Sequence, residues 1–128
     1  MIMQLPFLLI KETAEKGRGV FTTEAIEAET IIEISPVVVM EAKDRVHLDK
    51  TLLHDYIFEW GPQKTECCMA LGLIPIYNHS YASNCEYYMD FEENMIMIKS
   101  VRDIDPDEEL TINYNGDWND ERKVWFEK

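Results

Sequence analysis

From position 7 to position 112 the chain is a succession of short runs of β-branched, aromatic and aliphatic residues, each cut off within a few positions by Gly, Pro, Asn, Asp or Glu. Apolar periodicity is never sustained long enough for a long helix, so the chain is confined to many short strands joined by tight turns. Residues 7–11 read as a first strand, 15–19 as a turn, and Val20-Phe21 as the next strand. A polar turn over 24–29 precedes a strand over 30–34. Pro36 is expected to interrupt it before strand resumes over 37–40. Residues 42–53 hold one short helix or an irregular loop. Strand is expected over 56–60, ending at Gly61-Pro62, followed by buried runs over 67–71 and 74–77. Residues 86–91 and 95–101 flank Glu92-Glu93-Asn94 as a hairpin, and an acidic turn over 103–109 leads to a last strand at 110–112. In the tail, Trp118, Trp125 and Phe126 have the spacing of a short amphipathic helix.

The 128 residues, 46% of them hydrophobic, suffice for one core, so residues 1–128 are expected to form a single domain, with its core at about 7–114 and an aromatic tail at 115–128. Gly and Pro are few and no composition typical of disorder is present. No apolar run reaches the roughly 18 residues of a membrane helix, so no membrane contact is expected. The apolar first ten residues lack a basic start and a small-residue cleavage site, and read as an opening strand rather than a signal peptide. Asn78-His79-Ser80 fits the glycosylation sequon but is not expected to be used without such a signal. Cys67, Cys68 and Cys85 form no disulfide framework, and their odd number favours a reducing compartment. A net charge of −13 argues against binding nucleic acid directly. It serves either plain solubility or the steering of a basic protein or peptide towards an acidic cleft.

Three segments carry chemistry. In Lys16-Gly17-Arg18-Gly19-Val20-Phe21, two glycines flank one residue, which is either an ordinary tight turn or a backbone that can lie against a ligand. It is no dinucleotide fingerprint, because the third glycine and the following helix are missing. In Tyr77-Asn78-His79-Ser80, with Asn84 following, polar side chains interrupt an apolar region. If buried they must satisfy one another or bind a ligand carrying amine, carboxylate or purine groups. The cysteine and histidine spacing fits no common zinc pattern, and no metal site is expected. The third segment runs from Asp107 through Glu108-Glu109-Leu110-Thr111-Ile112-Asn113 to Tyr114. It is an acidic turn and strand that could present a phenol to a cleft. Asp103, Asp105 and Asp107 lack the glycine and terminal Glu of a calcium loop.

Taken in order, a Gly-x-Gly turn, then Asn-His-Ser-x-x-x-Asn, then Glu-Glu-Leu-Thr-x-x-Tyr, the chain resembles the SET domain over about residues 7–114. The aromatic run Tyr56-Ile57-Phe58-Glu59-Trp60 resembles the strand that precedes Asn-His-Ser in that family. The resemblance implies a mostly β fold, the SET-domain β-clip of small curved sheets. Its C-terminal pseudoknot would bring the Asn78 and Tyr114 segments together. It implies transfer of a methyl group from S-adenosyl-L-methionine to a protein lysine. Lys16, Gly17, Arg18 and Gly19 would touch the cofactor through the backbone, Asn78 and His79 would hold its amino-acid and adenine portions, and Tyr114 would be the active-site tyrosine. Tyr56 matches a position that borders cofactor and substrate. Tyr87 and Ile112 resemble positions that tune how many methyls are added, although both also suit ordinary core packing.

The chain departs from the family pattern in places. Tyr81-Ala82-Ser83-Asn84 stands where Cys-x-Pro-Asn is common, and Ile112-Asn113 where Phe-Asp is frequent. Cysteine clusters that close the lysine channel in many relatives are missing. In this respect the chain most resembles small free-standing bacterial and viral SET proteins. Trp118 and Trp125 would finish the substrate channel, or cap the core, and a homodimer is the other way to complete it. An intracellular location is expected, cytoplasmic, or nuclear in a eukaryotic or viral source. The competing function is a SET-fold cofactor- or peptide-binding module without turnover.

Overall fold

The structure is a computed structural model that describes residues 1–114, so the expected tail helix with Trp118, Trp125 and Phe126 lies outside the described residues. Ten strands form two sheets. In chain order they are β1 (Met3–Gln4), β2 (Leu8–Glu12), β3 (Arg18–Thr22), β4 (Ile31–Met40), β5 (Phe58–Trp60), β6 (Glu66–Ala70), β7 (Asn78–His79), β8 (Cys85–Asp90), β9 (Met95–Ser100) and β10 (Glu109–Ile112). One α-helix, α1 (Ala42–Leu48), and two 3-10 turns, Leu52–Asp55 and Ile74–Ile76, complete the described chain. The chain is thus mostly β, as the short apolar runs predicted.

The larger sheet has the order β5–β6–β4–β9–β8, with β1 also on β4, and its pairings are antiparallel. Its β8–β9 hairpin turns at residues 91–94, where Asn94 adopts φ +53, a left-handed conformation that Asn tolerates. Alternation along β9 turns Ile96 and Ile98 fully inward. Burial of each such side chain contributes roughly 1.5–3 kcal/mol. Strand β4 breaks the alternation. A register shift between Ile31 and Glu33 lets the adjacent Ile32 and Glu33 both point inward, which places a carboxylate in the interior.

Pro36 does not interrupt the strand. It lies between the stretch of β4 paired to β1 (Glu33 and Ile34) and the stretch paired to β6 (from Val37). There its carbonyl accepts from Leu71 N–H, and the missing N–H faces a gap in the pairing. Other expectations shift similarly. The expected strand over 56–60 begins only at Phe58, because Tyr56 closes the 3-10 turn of Leu52–Asp55 through its N–H to Leu53 O. The buried run over 74–77 takes the form of a 3-10 turn, Ile74–Ile76, with Pro75 in its first turn. The apolar opening is not one strand but two, β1 and β2, divided around Pro6.

The smaller sheet has the order β2–β3–β10–β7. Its last pairing is parallel, Thr111 with Asn78 and Ile112 with His79, and it joins segments more than 30 residues apart. This pairing brings the Asn78 and Tyr114 segments together. The threading of a pseudoknot concerns a C-terminal segment described only to Tyr114.

Candidate active site

The site is built at the end of the smaller sheet. The turn leading into β3 is tied by Thr13, whose hydroxyl donates to Gly17 O (2.8 Å) and accepts from Lys16 N–H (2.8 Å). Gly17 has φ +71 with nothing within 4 Å of an added Cβ, so its requirement is conformational. Gly19 differs. A Cβ there would overlap the Glu109 carboxylate and come within 3.0 Å of Asn78 Nδ2. The close partner that needs a glycine at position 19 is thus the protein's own Asn78–Glu109 pair. Asn78 Nδ2 donates to Glu109 Oε2 (2.8 Å) and to Arg18 O (3.1 Å). Two acceptors around one atom fix the amide orientation and turn Oδ1 away from them, available as an acceptor. Lys16 Nζ donates to His79 O (2.8 Å), which joins the turn to β7 from the other side.

Asn84 closes the arrangement. Its buried side chain donates from Nδ2 to Glu109 O (2.8 Å) and accepts Thr111 N–H at Oδ1 (2.9 Å). One amide thereby satisfies two backbone groups of β10 as a neighbouring strand would. The second asparagine of the Asn-His-Ser-x-x-x-Asn pattern is a structural staple.

Tyr114 follows β10 and meets β7. Its N–H donates to His79 Nδ1 (3.0 Å), which requires a lone pair there and puts the proton of a neutral ring on Nε2. The Tyr114 hydroxyl donates to Tyr77 O (2.8 Å). Burial pushes the phenol up to about 12, with the neighbouring Tyr87, Tyr56, Asp55 and Glu109 adding to the shift. At neutral pH it is a protonated phenol whose hydrogen is directed at a main-chain carbonyl.

A cavity of about 620 Å³ opens in front of these groups, within the ordinary range for a small-molecule site. Of the residues singled out in the sequence, Lys16, Gly17, Arg18, Tyr56, Asn78, His79 and Tyr114 line it together. Gly19 stands beside it and shapes Asn78. Tyr87 and Ile112 do not line it. Tyr87 packs on Phe58 at 5.5 Å between ring centroids and donates to Tyr114 O (3.3 Å), which puts it behind Tyr114. Ile112 is fully buried in the core opposite His79. Trp118 and Trp125 lie outside the described residues. Ser80, of the Asn78-His79-Ser80 segment, lines the cavity too, and so do Asp55 and Tyr81, which had not been singled out for it. Glu109 had been quoted only as part of a motif. A carboxylate immediately before the buried strand position Leu110 carries no signal of an amide partner 31 residues away. Cys67, Cys68 and Cys85 are buried free thiols, with Cys68 and Cys85 pushed up to about 12 by burial. Among the described residues no group of three or more His, Cys, Asp or Glu could hold a metal ion.

A SET-domain family model matches residues 17–115. The chain belongs to the SET-domain family of lysine methyltransferases. A Schizosaccharomyces pombe protein named histone-lysine N-methyltransferase, H3 lysine-37 specific, is 39% identical over 121 residues, covering 94% of this chain and 77% of that one. A crystal structure of a Plasmodium falciparum protein described as a histone methyltransferase superposes with a TM-score of 0.64 at 27% identity, over 89% of this chain and 97% of that one. A humanized mutant of Chaetomium thermophilum Polycomb Repressive Complex 2 shares the fold, with a TM-score of 0.70 at 19% identity over 84% of this chain and 14% of that one. These relatives are eukaryotic, whereas the lack of cysteine clusters had suggested a bacterial or viral type.

SET methyltransferases use S-adenosyl-L-methionine, and the cleft suits it. Asn78 Oδ1 offers an acceptor for an ammonium, the Arg18 guanidinium a cation for a carboxylate, and the cavity enough room for a nucleoside. No described helix is long and apolar enough to cross a membrane.

Proposed function

We propose that this chain methylates a lysine side chain of a histone, in the nucleus, with the cleft between the Lys16–Gly19 turn, Asn78–His79 and Tyr114 as its active site. The observation that carries the reading is the convergence on one cavity of those three sequence-distant segments, with a buried, protonated phenol at its inner wall. The name of the fungal relative, at 39% identity over 94% of the chain, supports a histone H3 substrate. The net charge of −13 and the carboxylates of Glu15 and Asp55 on the cleft favour a basic peptide.

The bound cofactor supplies a sulfonium-activated methyl group. The residues of the chain align and desolvate the acceptor. Asn78 and the turn around Gly17 fix the cofactor end of the cleft, so that the amine enters in line with the methyl. Deprotonating a lysine of reference pKa about 10.4 costs roughly 4–5 kcal/mol at pH 7. Burial in the cleft and a neighbouring positive charge both lower that cost. With the Tyr114 hydroxyl oriented by its hydrogen bond to Tyr77 O, its oxygen accepts from the incoming amine and aims the nitrogen lone pair. Tyr56 flanks the amine. Tyr87, off the cavity, supports this segment by donating to Tyr114 O. Trp118 and Trp125, or a second subunit, would complete the lysine channel on the outer side.

Incubation with labelled S-adenosyl-L-methionine and purified core histones tests the reading. Label is expected on a lysine of H3, located by mass spectrometry, and is expected to form more slowly, by about a hundredfold or more, with Tyr114→Phe. Label confined to non-histone proteins would remove the substrate assignment. Wild-type transfer by Tyr114→Phe would remove the role of the tyrosine.

A further inference from the structure

Behind Tyr114 the interior holds a carboxylate that the chemistry above does not use. Glu33 is fully buried, as is Tyr77, and Ser35 is nearly so. Glu33 Oε1 accepts from the Tyr77 hydroxyl (3.0 Å), and Oε2 accepts from Ser35 Oγ (2.8 Å) and from Leu73 N–H (2.8 Å). Leu73 and Tyr77 are the two residues that bracket the 3-10 turn Ile74–Ile76. One carboxylate therefore grips both ends of the turn, one end by its backbone and the other by its side chain. Gly72 stands close enough that a Cβ there would overlap Glu33 Oε2 and Ser35 Oγ. Directly after the turn come Asn78 and His79 of the cleft, and the Tyr77 carbonyl itself accepts the Tyr114 hydroxyl (2.8 Å).

Burying a carboxylate in a β-sheet core is costly, and a purely structural position would be met more cheaply by an apolar side chain. What an apolar side chain cannot do is hold the two ends of a turn in a fixed relation. We infer that Glu33 and Tyr77 are positioning residues for methyl transfer: through the clamped turn they fix the Tyr77 carbonyl, and so the direction in which Tyr114 presents its oxygen to the amine. This inference rests on Tyr114 being the residue that meets the amine. A misaimed Tyr114 slows the chemical step while leaving the binding surfaces for cofactor and peptide in place. The bulge in β4 that turns Glu33 inward beside Ile32 then has a function beyond packing.

The test is steady-state kinetics on Tyr77→Phe, Glu33→Gln, Glu33→Ala and Tyr114→Phe. Labelled S-adenosyl-L-methionine and core histones are the substrates, circular dichroism confirms folding, and calorimetry measures cofactor affinity. Tyr77→Phe keeps the ring and the Leu73 contact and loses one hydrogen bond. Its kcat is expected to fall about five- to tenfold with both KM values and cofactor affinity within about twofold of wild type. Glu33→Gln can still accept from Leu73 N–H at its oxygen and donate to a reversed Tyr77 hydroxyl, and is expected to retain kcat within about twofold. Glu33→Ala, where it folds, is expected to be slower than Tyr77→Phe. Folded Tyr77→Phe with wild-type kcat overturns the inference, as does a Glu33→Gln variant slower than Tyr77→Phe. Wild-type turnover by Tyr114→Phe overturns the assignment of Tyr114 and with it this inference, whereas a slow Tyr114→Phe beside a fast Tyr77→Phe overturns the clamp alone.

Discussion

The two sheets hold themselves together differently. The larger sheet is antiparallel, with a local β8–β9 hairpin and a regular inward row in β9. Its ladder bonds and apolar side chains suffice for its cohesion. The smaller sheet gathers β2, β3, β7 and β10 from most of the chain and contains a parallel pair of two residues. Where its ladder is too short, side chains stand in for strands: Asn84 on β10, the Asn78–Glu109 pair between β7 and β10, and Lys16 on the carbonyl of His79. Polar side chains that act as backbone partners leave their remaining donors and acceptors at a sheet end, and there the cleft forms. The difference teaches that in this chain the scaffold is apolar and local, whereas the site is polar and assembled over long range.

Four measurements break or sharpen this contrast. The largest effect is expected from Tyr114→Phe, with a loss of about a hundredfold or more in kcat. Removing a positioned hydroxyl from the reacting atoms costs on that scale. Stability should change by only about 1 kcal/mol for loss of the hydrogen bond to Tyr77 O. Denaturant melts beside the kinetics would separate the two, and a loss of stability equal to the loss of rate would break the division between scaffold and site.

Ile98→Ala should do the reverse. A fully buried side chain in the larger sheet is truncated, at a cost of about 2–5 kcal/mol. While the variant stays folded at low temperature, kcat should remain near that of wild type. Asn84→Ala is expected to show both effects together, because it leaves Thr111 N–H and Glu109 O on β10 without their amide partner. A loss of about 2–4 kcal/mol, with a several-fold fall in turnover, would mark the staple as shared between fold and site. Unchanged turnover in a destabilised Asn84→Ala protein would place it with the scaffold alone.

The smallest effect concerns pH. Burial raises the Glu33 carboxyl above its ordinary value, against the lowering effect of its hydrogen bonds to Leu73, Ser35 and Tyr77. A carboxyl raised in the folded state binds its proton more tightly there than when unfolded. Its favourable contribution is therefore present in full below the unfolded pKa near 4.5 and is lost as pH rises through the folded pKa. The melting temperature of Glu33→Gln relative to wild type should accordingly increase with pH across that window. A difference that is flat in pH would mean that Glu33 titrates alike in both states.

Much of the larger sheet was legible because its signals are local. The hairpin around Glu92–Asn94 and the short runs bounded by turn residues needed only neighbouring positions. Pro36 misled because its meaning depends on which strand lies beside it. The gap between β1 and β6 that tolerates it is not encoded near position 36. Tyr56 misled in another way, since an aromatic run reads as strand until a 3-10 turn takes its first residue. At the site, the motif residues on the cavity were found by their resemblance to a family, and periodicity had left each of them ambiguous. Glu109, Asp55 and the Glu33 clamp were missed, because nothing next to them in the sequence announces a partner.

The sequence by itself determined that this chain is mostly β, that its apolar residues suffice for a core, and, through three motifs in order, that it carries a SET domain. Only the tertiary structure decided that Gly19 is there to admit Glu109 against Asn78, that Asn84 completes a strand edge, and that Tyr87 and Ile112 lie off the cavity. The reason is physical. Composition and period are properties of neighbours along the chain, whereas hydrogen-bond satisfaction is a property of neighbours in space. A buried donor or acceptor must be matched wherever it falls, and in this protein the matches span intervals of 31, 35 and 63 residues.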